Sequence, residues 1–284
     1  MALARETKGE IVSCDSLQVY RGFDIGSAKP SIEERAEVPH HLIDVVDPEE
    51  PFSAAAYSRS ARAVLANLRE RRILPIVVGG GGLYLKALLE GLFIGPSRDE
   101  TLRERLHAIA LREGTERLHT LLARVDPDTA SRTHPTDEVR IVRAHEVFRR
   151  TQRTLSSHHL GGAEPLSGFD VRVFGIAIER AALRGRVEER TKQMFAAGLV
   201  DEAARLLARP EGPSLRPLKA IGYRQAVRVV RGEMGPEEAL RDMVIDTMRY
   251  AKRQMTWFRH QSPGVRWCEG PELALAAARE SLRA

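Results

Sequence analysis

Cysteine is scarce in this sequence: Cys14 and Cys268 are the only two among 284 residues, and they lie far apart. Two such residues make no metal-spacing motif, and they cannot form a disulfide framework. A single long-range bridge and two free thiols both fit the spacing; a reducing cytosol favours thiols. Long apolar runs are missing too. No stretch approaches the roughly 20 residues of a membrane span, and the opening MALARETKGE has no apolar segment of signal-peptide length. The chain therefore reads as cytoplasmic. Internal repeats and low-complexity tracts are absent. What remains is ordinary for a folded globular protein, with 43% hydrophobic and 29% charged residues. Length allows one large domain or two modest ones. The formal net charge of +5 and the pI of about 9.5 favour a polyanionic partner such as nucleic acid, without requiring one.

Along the chain, ALARETKGE reads as a helix tail ending near Gly9. EIVSCDS follows as a short buried strand that leads out to Asp15 and Ser16, and a loop carries QVYRGFDIGSAKP. The spacing from Ala54 to Arg71 is helical. ILPIVVGGGG is a β-branched apolar run ending in four glycines, and LYLKALLEGL is again helical. Strand, glycine turn and helix in this order predict an α/β fold with a parallel sheet. Beyond Pro96 the texture becomes Arg/Glu-rich and helical as far as about His159, where glycines and Pro165 punctuate it. VRVFGIAI is a strand, and everything after it reads as helix, including Pro236 to Gln261. The simplest organisation is an α/β core (1–96 and 169–284) interrupted by a helical insertion (97–168).

Several residues could carry chemistry. Asp15 leaves a strand at its carboxyl end, where open α/β sheets bind ligands. It could be a general base or a magnesium ligand; a plain Asp-Ser turn is equally consistent with the sequence. Gly79 to Gly82 also follow a strand and open a helix, which allows close approach of a phosphate. Tight turns use glycine for steric reasons as well. Adjacent His40 and His41 on a strand would face opposite ways, so a structural role suits them better than a shared metal. In RYAKRQMTWFRH, Arg249, Lys252, Arg253, Thr256 and His260 fall near one helical face. No carboxylate interrupts that run, so a phosphate-contacting stripe is at least as good a reading as a solvated face.

Taken in order, DSLQVYRGFDIGSAKP, VPHHLIDVVDP, GGGGLYLKALLEGL, EVRIVRAHEVF, LKAIGYRQAV and RYAKRQMTWFR resemble the tRNA dimethylallyltransferases, or IPP transferases, along nearly the whole chain. The resemblance implies a P-loop-NTPase-like α/β core with an all-helical insertion that grips the anticodon stem-loop. It implies transfer of a dimethylallyl group from dimethylallyl diphosphate to N6 of the adenine 3′-adjacent to the anticodon of tRNA. Magnesium (Mg2+) is the implied cofactor, and the family's nucleotide- and ATP-binding character and a monomeric state come with it.

Residue by residue, Asp15 matches the family's general base, and Ser16, Leu17 and Gln18 continue the stretch that meets the flipped adenine. Gly81 stands where the family usually has threonine. Arg103 matches a tRNA-contacting position in the insertion. Val139, Arg140, Ile141, Val142 and Arg143 match its QR-containing tRNA segment, with valine in place of the glutamine. Lys219, Ala220, Ile221, Gly222, Tyr223 and Arg224 match another tRNA-facing segment, and Arg224 could also meet diphosphate. Lys252, Arg253, Gln254, Thr256, Trp257 and Arg259 match a third. The family's phosphate loop, of the type GPTASGKT, has no counterpart in this sequence. The expectation is a clipped start, with that loop and its strand lying before Met1. A chain without them should expose apolar sheet surface and unpaired backbone groups. The alternatives are a non-catalytic RNA-binding homologue, an enzyme that prenylates free adenine nucleotides, and a small-molecule P-loop kinase. The kinase would need the lysine that is missing.

Overall fold

The computed structural model describes residues 1–93, 95–96, 98–160, 164–262 and 264–283. They divide into two compact units, one of residues 1–89 with 166–284 and one of residues 90–165.

The first unit opens with α1 (Ala2–Thr7) and β1 (Glu10–Ser13). It continues through α2 (Ile32–Glu37), β2 (His40–His41), α3 (Ala54–Glu70), β3 (Pro75–Val78) and α4 (Gly82–Leu89). The second unit holds α5 (Glu100–Glu113), α6 (Thr115–Val125), α7 (Pro127–Ser131), α8 (Glu138–Thr151) and α9 (Leu155–Leu160). The chain then returns to the first unit with β4 (Phe174–Ala177), α10 (Arg180–Ala196) and α11 (Leu199–Leu207). It closes with α12 (Tyr223–Val230), α13 (Pro236–Gln261), β5 (Arg266–Glu269) and α14 (Pro271–Ser281).

All strand pairings among the described residues are parallel. One sheet has the order β2-β1-β3, with Ile11 opposite His40 and Ile76; the other pairs β4 with β5. As the middle strand, β1 is buried at all four positions, as a strand covered on both faces must be. Its first residue, Glu10, is nonetheless charged. It is held by His41 at 2.6 Å and Arg71 at 2.5 Å, so the two histidines play structural parts; His40 Nδ1 meets the Val38 carbonyl. Among the described residues β3 and β4 each have a strand on one edge only, and Val78 and Ile176 on them are about half exposed.

One expectation fails here. The stretch after β4 is not wholly helical, because Arg266–Glu269 forms β5. Four residues with charged ends carry no alternating pattern of their own. Pairing with β4, which has only glycine at 175 against Trp267, makes them a strand.

Local signals explain most helix starts. Ser53, Asp99 and Glu179 each accept a backbone N–H of the first turn of α3, α5 and α10. α13 begins Pro-Glu-Glu, which suits its fixed φ and the helix dipole. The core cluster that matters for the site joins Val19, Tyr20 and Phe23, in the loop after β1, to Leu199, Ala203, Leu206, Tyr223, Ala226 and Met243 of α11, α12 and α13. Phe23 meets Tyr223 edge-on at 4.8 Å. The helical unit has its own core of Leu106, Leu118, Leu122, Ile141, Val142 and neighbours.

Candidate active site

Asp15 stands two residues beyond the end of β1, half-buried. Its side chain closes an Asx turn. Oδ1 accepts the N–H of Leu17 at 2.7 Å and of Gln18 at 3.2 Å. Among the described residues no hydrogen bond reaches Oδ2, so one carboxylate oxygen is oriented and the other is left available to a proton donor. Ser16 is exposed; Leu17 and Gln18 are partly so. The Gln18 side chain bridges inward, accepting from Ser13 Oγ at 2.8 Å and donating to the Ser27 and Ala28 carbonyls.

The glycine turn lies against the same strand exit. Gly81 N–H donates to the Cys14 carbonyl at 3.2 Å. A Cβ at Gly79 would sit 2.2 Å from the Cys14 carbonyl oxygen, so a side chain cannot occur there without moving backbone. At Gly81 a Cβ would meet that oxygen at 2.9 Å. The Gly81 departure from threonine thus suits a turn drawn tightly against Cys14. The Cys14 thiol is pushed up to about 11 by burial, which makes it a packing group rather than a nucleophile. Against it lies the buried Tyr57 hydroxyl, which has no other polar partner among the described residues. Tyr84 stacks on Tyr57 at 4.5 Å.

Helix α13 completes the site. Gln254 Nε2 donates to the Gly80 carbonyl at 2.9 Å. Trp257 lies on Gly82, where a Cβ would come 2.4 Å from the indole. Tyr250, which the sequence did not single out, is close enough for the Asp15 charge to act on it: burial raises its phenol first, and Asp15 raises it further. The Arg253 guanidinium sits 5.8 Å from the centre of the Tyr250 ring. A tyrosine seven residues before a matched tryptophan gives no motif signal; only the helix's approach to β1 brings it in.

The remaining expected residues divide. Lys219, Arg224, Lys252, Arg253, Thr256 and Arg259 are exposed, Ala220 and Ile221 partly so. Arg259 also lies over the Trp267 ring at 5.9 Å. Arg224 is ion-paired with Asp246, which takes Arg249 as well. The basic face of α13 is therefore compensated at its start by an acid one turn back, contrary to the reading of an uninterrupted stripe. Tyr223 and Gly222 do not face outward. Tyr223 is fully buried, because its hydroxyl is committed to Glu202 and Gly26.

In the helical unit, Val139 is 73% exposed, and Arg140 is exposed beside Asp137. Ile141 and Val142, expected in the tRNA segment, are buried in the unit's core instead; helical spacing turns them inward when 139 and 140 face solvent. Arg103 and Arg143 are drawn to Glu146, a carboxylate with no exposure at all. Burial alone would raise that carboxyl, but Arg103, the Asp99 N–H and Arg143 outweigh it and hold it at about 2. These two arginines are structural partners before they are surface cations.

The donors present do not make a magnesium cage. No group of three or more His, Cys, Asp or Glu side chains converges among the described residues, and Asp15 is one carboxylate with one oxygen already engaged. Magnesium takes near-octahedral oxygen, commonly from one or two carboxylates plus substrate phosphates. A groove of about 500 Å³, lined by Asp24, Lys29, Arg35, Arg190 and Met194 among others, does not include Asp15. Its Lys29 and Arg35 are already paired with Asp24 and Asp44.

Parallel strands that end at a tethered carboxylate and a glycine turn define an open-sheet α/β protein with a candidate site at the strands' carboxyl ends. Comparison with known proteins narrows the class. The family model described as IPP transferase matches residues 18–261. The chain is 46% identical over 270 residues to a tRNA dimethylallyltransferase of Koribacter versatilis, covering 95% of this chain and 87% of the relative. It is likewise 46% identical over 272 residues to one from Geobacter sulfurreducens, covering 95% and 86%. Among solved structures, the tRNA isopentenylpyrophosphate transferase of Bacillus halodurans superposes with a TM-score of 0.70 at 35% identity, over 99% of this chain and 89% of that one. The Staphylococcus epidermidis enzyme gives 0.68 at 30%, over 99% and 93%. The chain belongs to the IPP transferase family, whose curated members matched here are tRNA dimethylallyltransferases. No helix among the described residues is long and apolar enough to cross a membrane.

Proposed function

We propose that this protein transfers a dimethylallyl group from dimethylallyl diphosphate to N6 of the adenine 3′-adjacent to the anticodon in tRNA. The observation that carries the reading is the Asp15 carboxylate: fixed through Oδ1, with Oδ2 unengaged, beside the glycine turn and α13. An exocyclic adenine amine is a poor nucleophile, since its lone pair is delocalised into the ring. As the N6–C1 bond forms, the C1–O bond to diphosphate breaks and diphosphate departs with the electron pair. The N6 proton passes to Asp15 Oδ2. Base assistance of this kind contributes about 10²- to 10⁴-fold. Adenine must leave its loop stack first, at a cost of a few kcal/mol.

Val78 and Leu83, about half exposed on either side of the glycine turn, suit the apolar prenyl tail. Lys252, Arg253 and Arg259 on α13, and Arg140 on α8, suit phosphates of the RNA. Magnesium would arrive with the diphosphate, since the protein's own donors do not fit the ion. The protein acts as a cytoplasmic monomer on this reading.

The test is turnover of dimethylallyl diphosphate with an anticodon stem-loop, read as N6-dimethylallyladenosine in the digested RNA. Asp15→Asn should lower turnover by at least about 100-fold. Absence of product, or full activity in that variant, refutes the reading. Salt-sensitive binding without turnover would favour the RNA-binding alternative, and faster reaction with AMP the nucleotide-prenylating one.

A further inference from the structure

Between Asp15 and α2 the chain runs through a long loop with only one isolated bridge, Tyr20 to Val46. A loop of that length does not hold a catalytic group by itself. Its anchor is a buried carboxylate. Glu202 on α11 is 3% exposed and has no cation against it among the described residues. Its two oxygens accept the backbone N–H groups of Asp24 at 3.2 Å, Ile25 at 3.0 and 3.1 Å, and Gly26 at 3.3 Å. They also accept the Tyr223 hydroxyl at 2.5 Å. That hydroxyl in turn accepts the Gly26 N–H at 3.1 Å. Gly26 backbone lies so close to the Tyr223 ring that a Cβ would fall 2.6 Å from it.

From this nest the connection runs on to the reacting side. The next carbonyls, of Ser27 and Ala28, hold Gln18 Nε2 at 3.3 and 3.2 Å. Gln18 Oε1 takes Ser13 Oγ on β1, and Gln18 N–H donates to Asp15 Oδ1 at 3.2 Å. Hydrogen bonds, with the backbone of residues 26–28 and the Gln18 side chain between them, thus join α11 and α12 to the carboxylate of Asp15.

We propose that Glu202, together with Tyr223, is a positioning residue for Asp15: it fixes residues 24–28 and, through Gln18, sets the direction of the Asp15 carboxylate. The inference rests on the catalytic reading of Asp15. A buried charge is costly unless fully hydrogen-bonded, and an apolar residue would fill the same space at less cost. What an apolar residue cannot do is gather three successive N–H groups and a hydroxyl. A glutamine cannot do it either, because one of its two ends is a donor.

The experiment uses the intact protein carrying Glu202→Gln, Tyr223→Phe, Gln18→Ala, and Glu202→Gln with Gln18→Ala. Amide hydrogen exchange should quicken across residues 15–28, including the N–H groups of Leu17 and Gln18, with the global melting transition retained. Turnover number on the stem-loop should fall about 10- to 100-fold, with KM within about threefold. The double variant should be no worse than its worse single, because both lie on one relay. Unchanged exchange at 15–28, or losses that multiply in the double variant, overturn the proposal. Should Glu202→Gln fail to fold, Tyr223→Phe carries the same readouts. Should the wild-type protein form no prenylated adenine, the proposed function falls, and the exchange pattern alone then decides the positioning.

Discussion

Replacing Glu146 by glutamine isolates one charge in the helical unit. The carboxylate takes Arg103 through two bonds of 2.8 Å, the Asp99 N–H at 2.9 Å, and Arg143. It is held at about 2 against an ordinary 4.5. Taking the ordinary value for the unfolded chain, the difference of roughly 2.5 units at 1.36 kcal/mol each is worth on the order of 3 kcal/mol. Removing one partner of a buried pair costs about the same. The folded value lies below the unfolded one, so the stabilisation is fully present above pH 4.5 and is lost as pH falls toward 2. Urea unfolding of wild-type and Glu146→Gln proteins, followed by circular dichroism, should therefore differ by about 3 kcal/mol at pH 7. The gap should narrow steadily on acidification from pH 5 to pH 3. A gap below about 1 kcal/mol at pH 7, or one indifferent to acid, refutes the account of Glu146 as the charge that organises Arg103 and Arg143.

Other outcomes follow from the site. Gly82→Ala would drive a methyl into the Trp257 indole, costing about 1–3 kcal/mol and shifting tryptophan fluorescence; an unshifted spectrum with unchanged stability contradicts the packing. Cys14, pushed up to about 11 by burial, leaves about one thiolate in a thousand at pH 8, so a disulfide reagent should titrate it only after denaturant is added. Lys252→Ala should weaken stem-loop binding and lower the slope of log K against log salt by about one, which binding isotherms at several salt concentrations would measure.

Much of the site was legible in the sequence because it is local. Asp15, Leu17 and Gln18 form one turn, and a strand followed by DS already implies a carboxylate at a strand exit. The glycine turn and the α13 motif were legible for the same reason, being short patterns that follow backbone geometry. β2 and β5 were harder to see, since strands of two and four residues have too few positions for a period. Directions within matched segments were harder still. VRIVR matches the family as a block, yet α8 turns Ile141 and Val142 into the core and leaves Val139 and Arg140 outside.

By itself the sequence determined the α/β rhythm, the helical interruption, the carboxylate at the strand's end and the family. Those follow from neighbours in the chain: propensity, periodicity and motif spacing. Only tertiary structure decided which charges are free. Glu146 claims Arg103 and Arg143 from more than one helix, Asp246 claims Arg224, and Glu202 reaches 176 to 178 residues back to hold Asp24, Ile25 and Gly26. A buried carboxylate must find donors wherever packing brings them, and no local pattern records where that is.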